Sequence, residues 1–302
     1  MASAQTKIVV GFAAGSGVDV IARIVGARLQ GIVGEPVIIE NRPGAGGRIA
    51  AQVTINADPD GKTILLAPIV TTAFTPFMYA KPGYDALKDL LPITRLGNFK
   101  FALAVNNNLP ASSVKDFAAY ATKNPGTVTY ATPGIGTPAH FLGVMFNRAI
   151  GTDLLHVPYK GSGPAATALL SGEVLSTFNT TVALIPLGQS QKVKLLAVTG
   201  ASRSPALPDT PTLAELKMNL GDIESAELWY GFFAPANTPP DVVRKINYAL
   251  VAVLKDPEVR GKMETLDIEV ATDTPEAFAE IVKNDYERWG RVIRSSGFTV
   301  ID

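Results

Sequence analysis

The chain of 302 residues contains no cysteine. Disulfides, cysteine-ligated zinc, thiol catalysis and iron–sulfur clusters are therefore excluded. Histidine is almost as scarce, with only His140 and His156. They stand apart in the sequence without a neighbouring carboxylate pattern, so no metal site is expected. A serine hydrolase needs a serine beside an activating base. The Gly-x-Ser-x-Gly elbow of many such enzymes is missing, because Ala14 precedes Ser16 and Lys160 precedes Ser162 at the required position. No enzyme activity is expected from these residues, and no cofactor. No apolar run reaches the ~20 residues of a membrane span. Blocks of like charge are also lacking, and 27 Lys and Arg balance 27 Asp and Glu. Nucleic acid and acidic membrane surfaces are not expected partners.

What is present describes a globular protein with room for two domains: 47% hydrophobic and 18% charged residues. Ala2-Ser3-Ala4 before Gln5 matches the small-residue end of a secretory leader. Two Gly-rich turns carry most of the information. The first, Ala13-Ala14-Gly15-Ser16-Gly17-Val18-Asp19, follows an apolar run at residues 8–12. The second, Ala131-Thr132-Pro133-Gly134-Ile135-Gly136-Thr137-Pro138, follows Val128-Thr129-Tyr130. Each lies between a strand-like run and a helical pattern. A strand that turns through glycines into a helix leaves free backbone N–H groups at the positive end of the helix dipole. Such an end binds anions. Two of them, one in each half, suggest a grip on one small anion from both sides.

The periodicities place strands at residues 8–10, 37–39, 63–67, 101–105, 128–130, 154–159, 193–198 and 229–234. Helices fall between them. The first shows Ile21, Ile24, Val25 and Leu29 at helical spacing, with Asp19 in its first turn. Ser113-Val114-Lys115-Asp116 starts another in the manner of a capping box. The last, from about residue 275 to 295, aligns Phe278, Val282, Trp289 and Ile293 on one core-facing side. Strands alternating with helices predict an α/β protein of parallel sheets with helices on their faces.

Two nucleotide signals weaken on inspection. Asp60-Gly61-Lys62-Thr63 ends like a phosphate loop, but Asn56 stands where the motif needs glycine and the segment leads into a strand. It reads as a turn. Gly15-Ser16-Gly17 begins a dinucleotide fingerprint, with Glu40 available as its acidic residue, but Val20 replaces the third glycine. Gly134-Ile135-Gly136 has the same defect, at Ala139. Gly161-Ser162-Gly163-Pro164 reads as a tight turn before a Pro-started helix, with Lys160 a source of positive field nearby.

Glu40-Asn41-Arg42-Pro43-Gly44-Ala45-Gly46-Gly47 resembles the signature of the substrate-binding proteins of tripartite tricarboxylate transporters, the Bug-type proteins. Further matches follow in order. They include Asp19-Val20-Ile21-Ala22-Arg23, Asp58-Pro59-Asp60-Gly61, the segment 131–140, and His156-Val157-Pro158-Tyr159-Lys160-Gly161. Residues 203–212 and Arg288-Trp289-Gly290 complete the series. The resemblance spans nearly the whole chain.

The resemblance implies a two-domain periplasmic-binding-protein fold of the Venus-flytrap type. One domain would comprise residues 1–102 plus 228–302, and the other residues 103–227, with the ligand in the cleft between them. It implies a periplasmic, monomeric carrier that hands a small carboxylate to membrane permease subunits. Carried over by position, the first loop supplies Phe12, Ala14, Gly15, Ser16, Gly17, Val18 and Asp19. The second supplies Thr132, Gly134, Ile135, Gly136, Thr137 and His140. Ile69, Thr71 and Thr72 join from the turn after the third strand, and Phe178 and Asn179 from a loop of the second domain. The chain departs from the family where Asn179 replaces a frequent Asp, and where Pro68, Ile69 and Ile135 replace small polar residues. If those side chains reach the pocket, they favour an aromatic or alkyl carboxylate over a highly charged one. A dicarboxylate, a sensing role on a signalling receptor, and a nucleotide-using α/β enzyme stay open as alternatives.

Overall fold

The computed structural model describes residues 5–302, so the leader-like Ala2-Ser3-Ala4 run lies outside the described residues. The chain opens with β1 (Thr6–Val10), α1 (Gly17–Val33), β2 (Val37–Asn41), α2 (Arg48–Ile55) and β3 (Thr63–Pro68). A wide π turn (Val70–Phe74), α3 (Thr75–Met78) and β4 (Leu90–Phe99) follow. Next come β5 (Phe101–Asn106), α4 (Val114–Lys123), β6 (Thr129–Thr132), α5 (Pro138–Ile150), β7 (Leu155–Pro158) and α6 (Ser162–Ser171). Then β8 (Ser176–Thr180), α7 (Thr181–Gln189) and β9 (Val193–Val198) complete the middle of the chain. The last part holds β10 (Leu228–Pro235), α8 (Pro240–Lys255), α9 (Pro257–Thr265), β11 (Ile268–Val270) and α10 (Pro275–Ser295). The chain divides into two compact units, Met1–Asn98 with Trp229–Asp302, and Phe99–Leu228.

The first unit holds a six-stranded sheet in the order β11-β4-β10-β3-β1-β2. β1 runs parallel to β2 and β3, but β10 is antiparallel to β3. The second unit holds five strands in the order β7-β6-β8-β5-β9. β6 is parallel to β7 and β8, whereas β5 is antiparallel to β8 and β9. The sheets are therefore mixed, which corrects the all-parallel expectation. A helical crossover within one sheet enforces parallel direction. β5 and β10 start directly after the chain has passed from one unit to the other, so no such crossover joins them to their neighbours.

Alternation decides which face each strand buries. Phe232 of β10 packs with Ile8, Val10, Ile64 and Leu66 against Val25 and Leu29 of α1 and Leu250 and Val253 of α8. Trp229 and Phe233, on the other face of β10, meet Phe278 of α10 at ring centroid distances of 5.1 and 5.4 Å. Burying each such side chain contributes about 1.5–3 kcal/mol. In the second unit Ala102, Ala104 and Ala131 pack against Leu169 of α6 and Leu184 of α7. Phe146 lies between Phe117 and Phe178.

Candidate functional site

Parallel strands aim their C-terminal ends at one edge of a sheet, where the following loops gather. In the first unit these are the loops after β1, β2 and β3. The first Gly-rich turn leaves β1 and enters α1 through Ser16, whose hydroxyl accepts the Asp19 N–H at 3.4 Å. Gly15 takes a left-handed conformation, φ 82°.

Asp19 is buried, and its carboxylate organises the turn. It accepts the Gly15 N–H at 2.8 Å, the Arg23 Nε–H at 2.9 Å and the Asn41 amide at 2.9 Å. The same Asn41 amide donates to the Phe12 carbonyl at 3.1 Å. These donors, led by Arg23, hold the Asp19 carboxyl down at about 2. Gly15 N–H is thus engaged within the loop, and Ser16 N–H donates to the Ala13 carbonyl at 3.1 Å. The N–H groups of Gly17 and Val18, the first two of α1, have no acceptor among the described residues. Unsatisfied donors at a helix start can bind an anion. Ala14 is exposed on the turn, and Phe12 packs on the core of the unit.

The glycines of Pro43-Gly44-Ala45-Gly46-Gly47 explain how this loop is supported. Gly44, Gly46 and Gly47 have φ of 129°, 65° and 92°. A Cβ on Gly11 would lie 2.6 Å from the Gly47 Cα, and one on Gly47 would lie 2.4 Å from the Thr71 Oγ1. The loop after β2 thus sits directly between the end of β1 and the π turn. The Gly46 carbonyl accepts the Thr71 and Thr75 hydroxyls at 3.3 and 3.2 Å. Thr72 donates to the Ile69 carbonyl at 3.3 Å. Ile69, Thr71 and Thr72 are all buried, with both threonine hydroxyls engaged internally.

In the second unit the loops after β6, β7 and β8 share one edge of the sheet. Thr137 precedes α5 and donates its hydroxyl to the Gly134 carbonyl at 2.7 Å. Thr132 Oγ1 accepts the Gly134 N–H at 3.3 Å and lies 2.6 Å from His156 Nε2. Gly136 N–H donates to His140 Nδ1 at 3.3 Å. The Ile135 and Ala139 N–H groups have no acceptor among the described residues. The Ile135 side chain is 66% exposed. The three departures expected to make the site apolar are now located: Ile135 projects outward, while Pro68 and Ile69 are buried.

Phe178 and Asn179 belong to β8 rather than to a loop. Phe178 is buried with its ring edge toward Phe146. The Asn179 amide donates to the Ser162 carbonyl at 2.9 Å, and its Oδ1 accepts the Thr180 N–H at 2.8 Å. It ties the end of β8 to the first turn of α6.

Three residues in these networks, Arg23, Asn41 and His156, were absent from the sequence-derived site. Arg23 lies four residues after Asp19, a readable helical pairing. Asn41 and His156 act through neighbours distant in sequence, which spacing alone does not show. The two histidines, apart in sequence, stack with ring centroids 4.2 Å apart and planes 12° from parallel. Among the described residues no group of three or more acidic or histidine side chains is placed to hold a metal ion. No helix among them is long and apolar enough to cross a membrane.

Residues 21–298 match the family described as the tripartite tricarboxylate transporter family receptor. The chain is 31% identical to Protein BugT of Bordetella pertussis over 297 residues, 96% of this chain and 89% of that one. It is 30% identical to R. palustris Rpa4515, solved with adipate, with a TM-score of 0.82 and 97% of each chain covered. It is also 30% identical to MatC (Rpa3494) of Rhodopseudomonas palustris, solved with bound malate. There the TM-score is 0.77, with 96% of this chain and 98% of that one covered.

Proposed function

The chain belongs to the tripartite tricarboxylate transporter receptor family and has the two-domain periplasmic-binding-protein fold of that family. We propose that, within it, this protein is a non-catalytic, extracytoplasmic receptor that captures a small carboxylate through the backbone of its two Gly-rich loops. The observation that carries this reading is the set of N–H groups left without acceptors: Gly17 and Val18 in one unit, Ile135 and Ala139 in the other. Hydrogen bonds from such donors to a carboxylate are charge-assisted, roughly twice as strong as neutral ones. They need no buried arginine with its own desolvation cost.

The captured ligand is passed to the permease subunits of a tripartite transporter. Adipate and malate, both dicarboxylates found in two related proteins, support a short dicarboxylate as the ligand class. The exposed Ile135 favours a ligand with an apolar body beside the carboxylate, as in adipate, over a densely hydroxylated or tricarboxylic acid. A dinucleotide ligand fits poorly, since Val20 stands where its fingerprint needs a third glycine.

A thermal-shift screen against adipate, malate, citrate and aromatic acids, with nucleotides beside them, tests the reading. A ligand at 100 times its Kd adds about 2.7 kcal/mol of stability. The expected outcome is a raised midpoint with one or more carboxylates and none with nucleotides. A shift with nucleotides alone would overturn it.

A further inference from the structure

His140 on α5 and His156 on β7 meet beneath the second Gly-rich loop, and both bond to it. His140 Nδ1 accepts the Gly136 N–H at 3.3 Å. An acceptor at Nδ1 carries no proton there, so the neutral ring is the Nε2–H tautomer. His156 Nε2 lies 2.6 Å from the Thr132 hydroxyl, which itself accepts the Gly134 N–H. The two contacts thus fall on either side of Ile135, whose N–H is free for a ligand. We propose that His140 and His156 are positioning residues, a neutral stacked pair that holds the second Gly-rich loop in its donor-presenting shape and lets go of it when the pair takes up a proton. The inference rests on the reading that this loop grips the ligand.

The surroundings favour the neutral pair. The rings lie 4.2 Å apart and nearly parallel, so two imidazolium charges would repel each other. The Tyr130 phenol of β6 stacks on His156 at 4.9 Å, and burial pushes its own ionisation far up. Burial lowers His140, and burial together with His140 lowers His156 to about 4. Apart from His140 itself, no charged group of α5, β6 or β7 is among these causes. A proton on His140 Nδ1 would set donor against donor at Gly136 N–H. The pair titrates as a unit, so its midpoints belong to both rings.

The test follows loop amides and ring nitrogens by NMR in the ligand-free full chain between neutral and acid pH. His140 is expected as the Nε2–H tautomer. The Gly136 and Ile135 amides are expected to move with the midpoint of the rings. His140→Asn keeps an acceptor oxygen near the place of Nδ1 but cannot be protonated. It should retain the neutral-pH amide positions and lose their response to the His140 proton. His140→Leu should displace the Gly136 amide at every pH. At pH 7 His140→Leu should bind adipate about tenfold more weakly than His140→Asn, the worth of one neutral hydrogen bond. Loop amides that ignore the ring titration, or an unmoved Gly136 amide in His140→Leu, would overturn the proposal. Tighter adipate binding on acidification would also overturn it, by showing the histidines acting as charges. Amide responses as expected without any adipate binding would count against the proposed ligand class and leave the loop-holding role intact.

Discussion

Asp19 contributes far more to the first loop than a negative charge at a helix start. Its carboxylate gathers donors from Gly15, Arg23 and Asn41, three positions on different parts of the loop system. Asp19→Ala removes a buried acceptor from all three, and should cost about 1–3 kcal/mol of stability in urea unfolding. The sign of its pH effect follows from a folded value of about 2 against 3.8 for the ordinary group. The unfolded chain takes the proton first, so the contribution is complete above 3.8 and is lost as pH falls from there toward 2. His156 behaves likewise at higher pH. Its folded value of about 4 lies below the ordinary 6.5, so stability should decline as pH falls from 6.5 toward 4. Unfolding midpoints measured across both windows should show the upper decline reduced in His156→Gln and the lower one reduced in Asp19→Ala. Asn179 makes the opposite demand. Its amide donates to the Ser162 carbonyl, which a carboxylate cannot do. Asn179→Asp should therefore destabilise by about 1–3 kcal/mol at neutral pH, because it buries an acceptor against an acceptor. Equal stability by denaturant titration would contradict that role. The sequence presented Asn179 as a ligand-site residue and a missing charge; its bond to α6 depends on a strand pairing that no spacing reveals.

At the scale of elements, the Gly-rich motif after β2 acts as a spacer of minimal thickness between β1 and the π turn. Gly47 has φ 92°, and an added Cβ would stand 2.4 Å from the Thr71 hydroxyl. Gly47→Ala should lose about 1–3 kcal/mol through overpacking. Gly17, by contrast, has open space where a Cβ would go and no positive φ. Gly17→Ala should melt at or above the wild-type temperature. A matched loss in both variants would refute the distinction. Most elements were legible because they obey one period. The stripe of Ile21, Val25 and Leu29 defines α1, and the alternation of Trp229, Gly231 and Phe233 defines a face of β10. β8 was not legible. Its Ser176, Thr177 and Asn179 are fully buried yet polar. Ser176 and Thr177 hydroxyls donate to the Thr129 and Ala131 carbonyls, both at 2.9 Å. A central strand satisfied by side-chain bonds to its neighbour has no apolar signature. β4 was missed for a related reason: Pro92, Arg95 and Asn98 interrupt its apolar positions.

For the whole molecule, the sequence carried the α/β class, the family and the two Gly-rich turns, because each is written in contiguous residues. The direction of β5 and β10 and the meeting of His140 with His156 are set by long-range pairing, and local pattern is silent on both. The central claim is that a carboxylate is held by backbone N–H groups rather than by a charged side chain. The most direct test is an amide NMR titration of the ligand-stripped protein with the carboxylate that gives the largest thermal shift. The account predicts that the Gly17, Val18, Ile135 and Ala139 amides move most, in both units together and with one saturation midpoint. A carboxylate that saturates the protein while those four amides stay in place would contradict it.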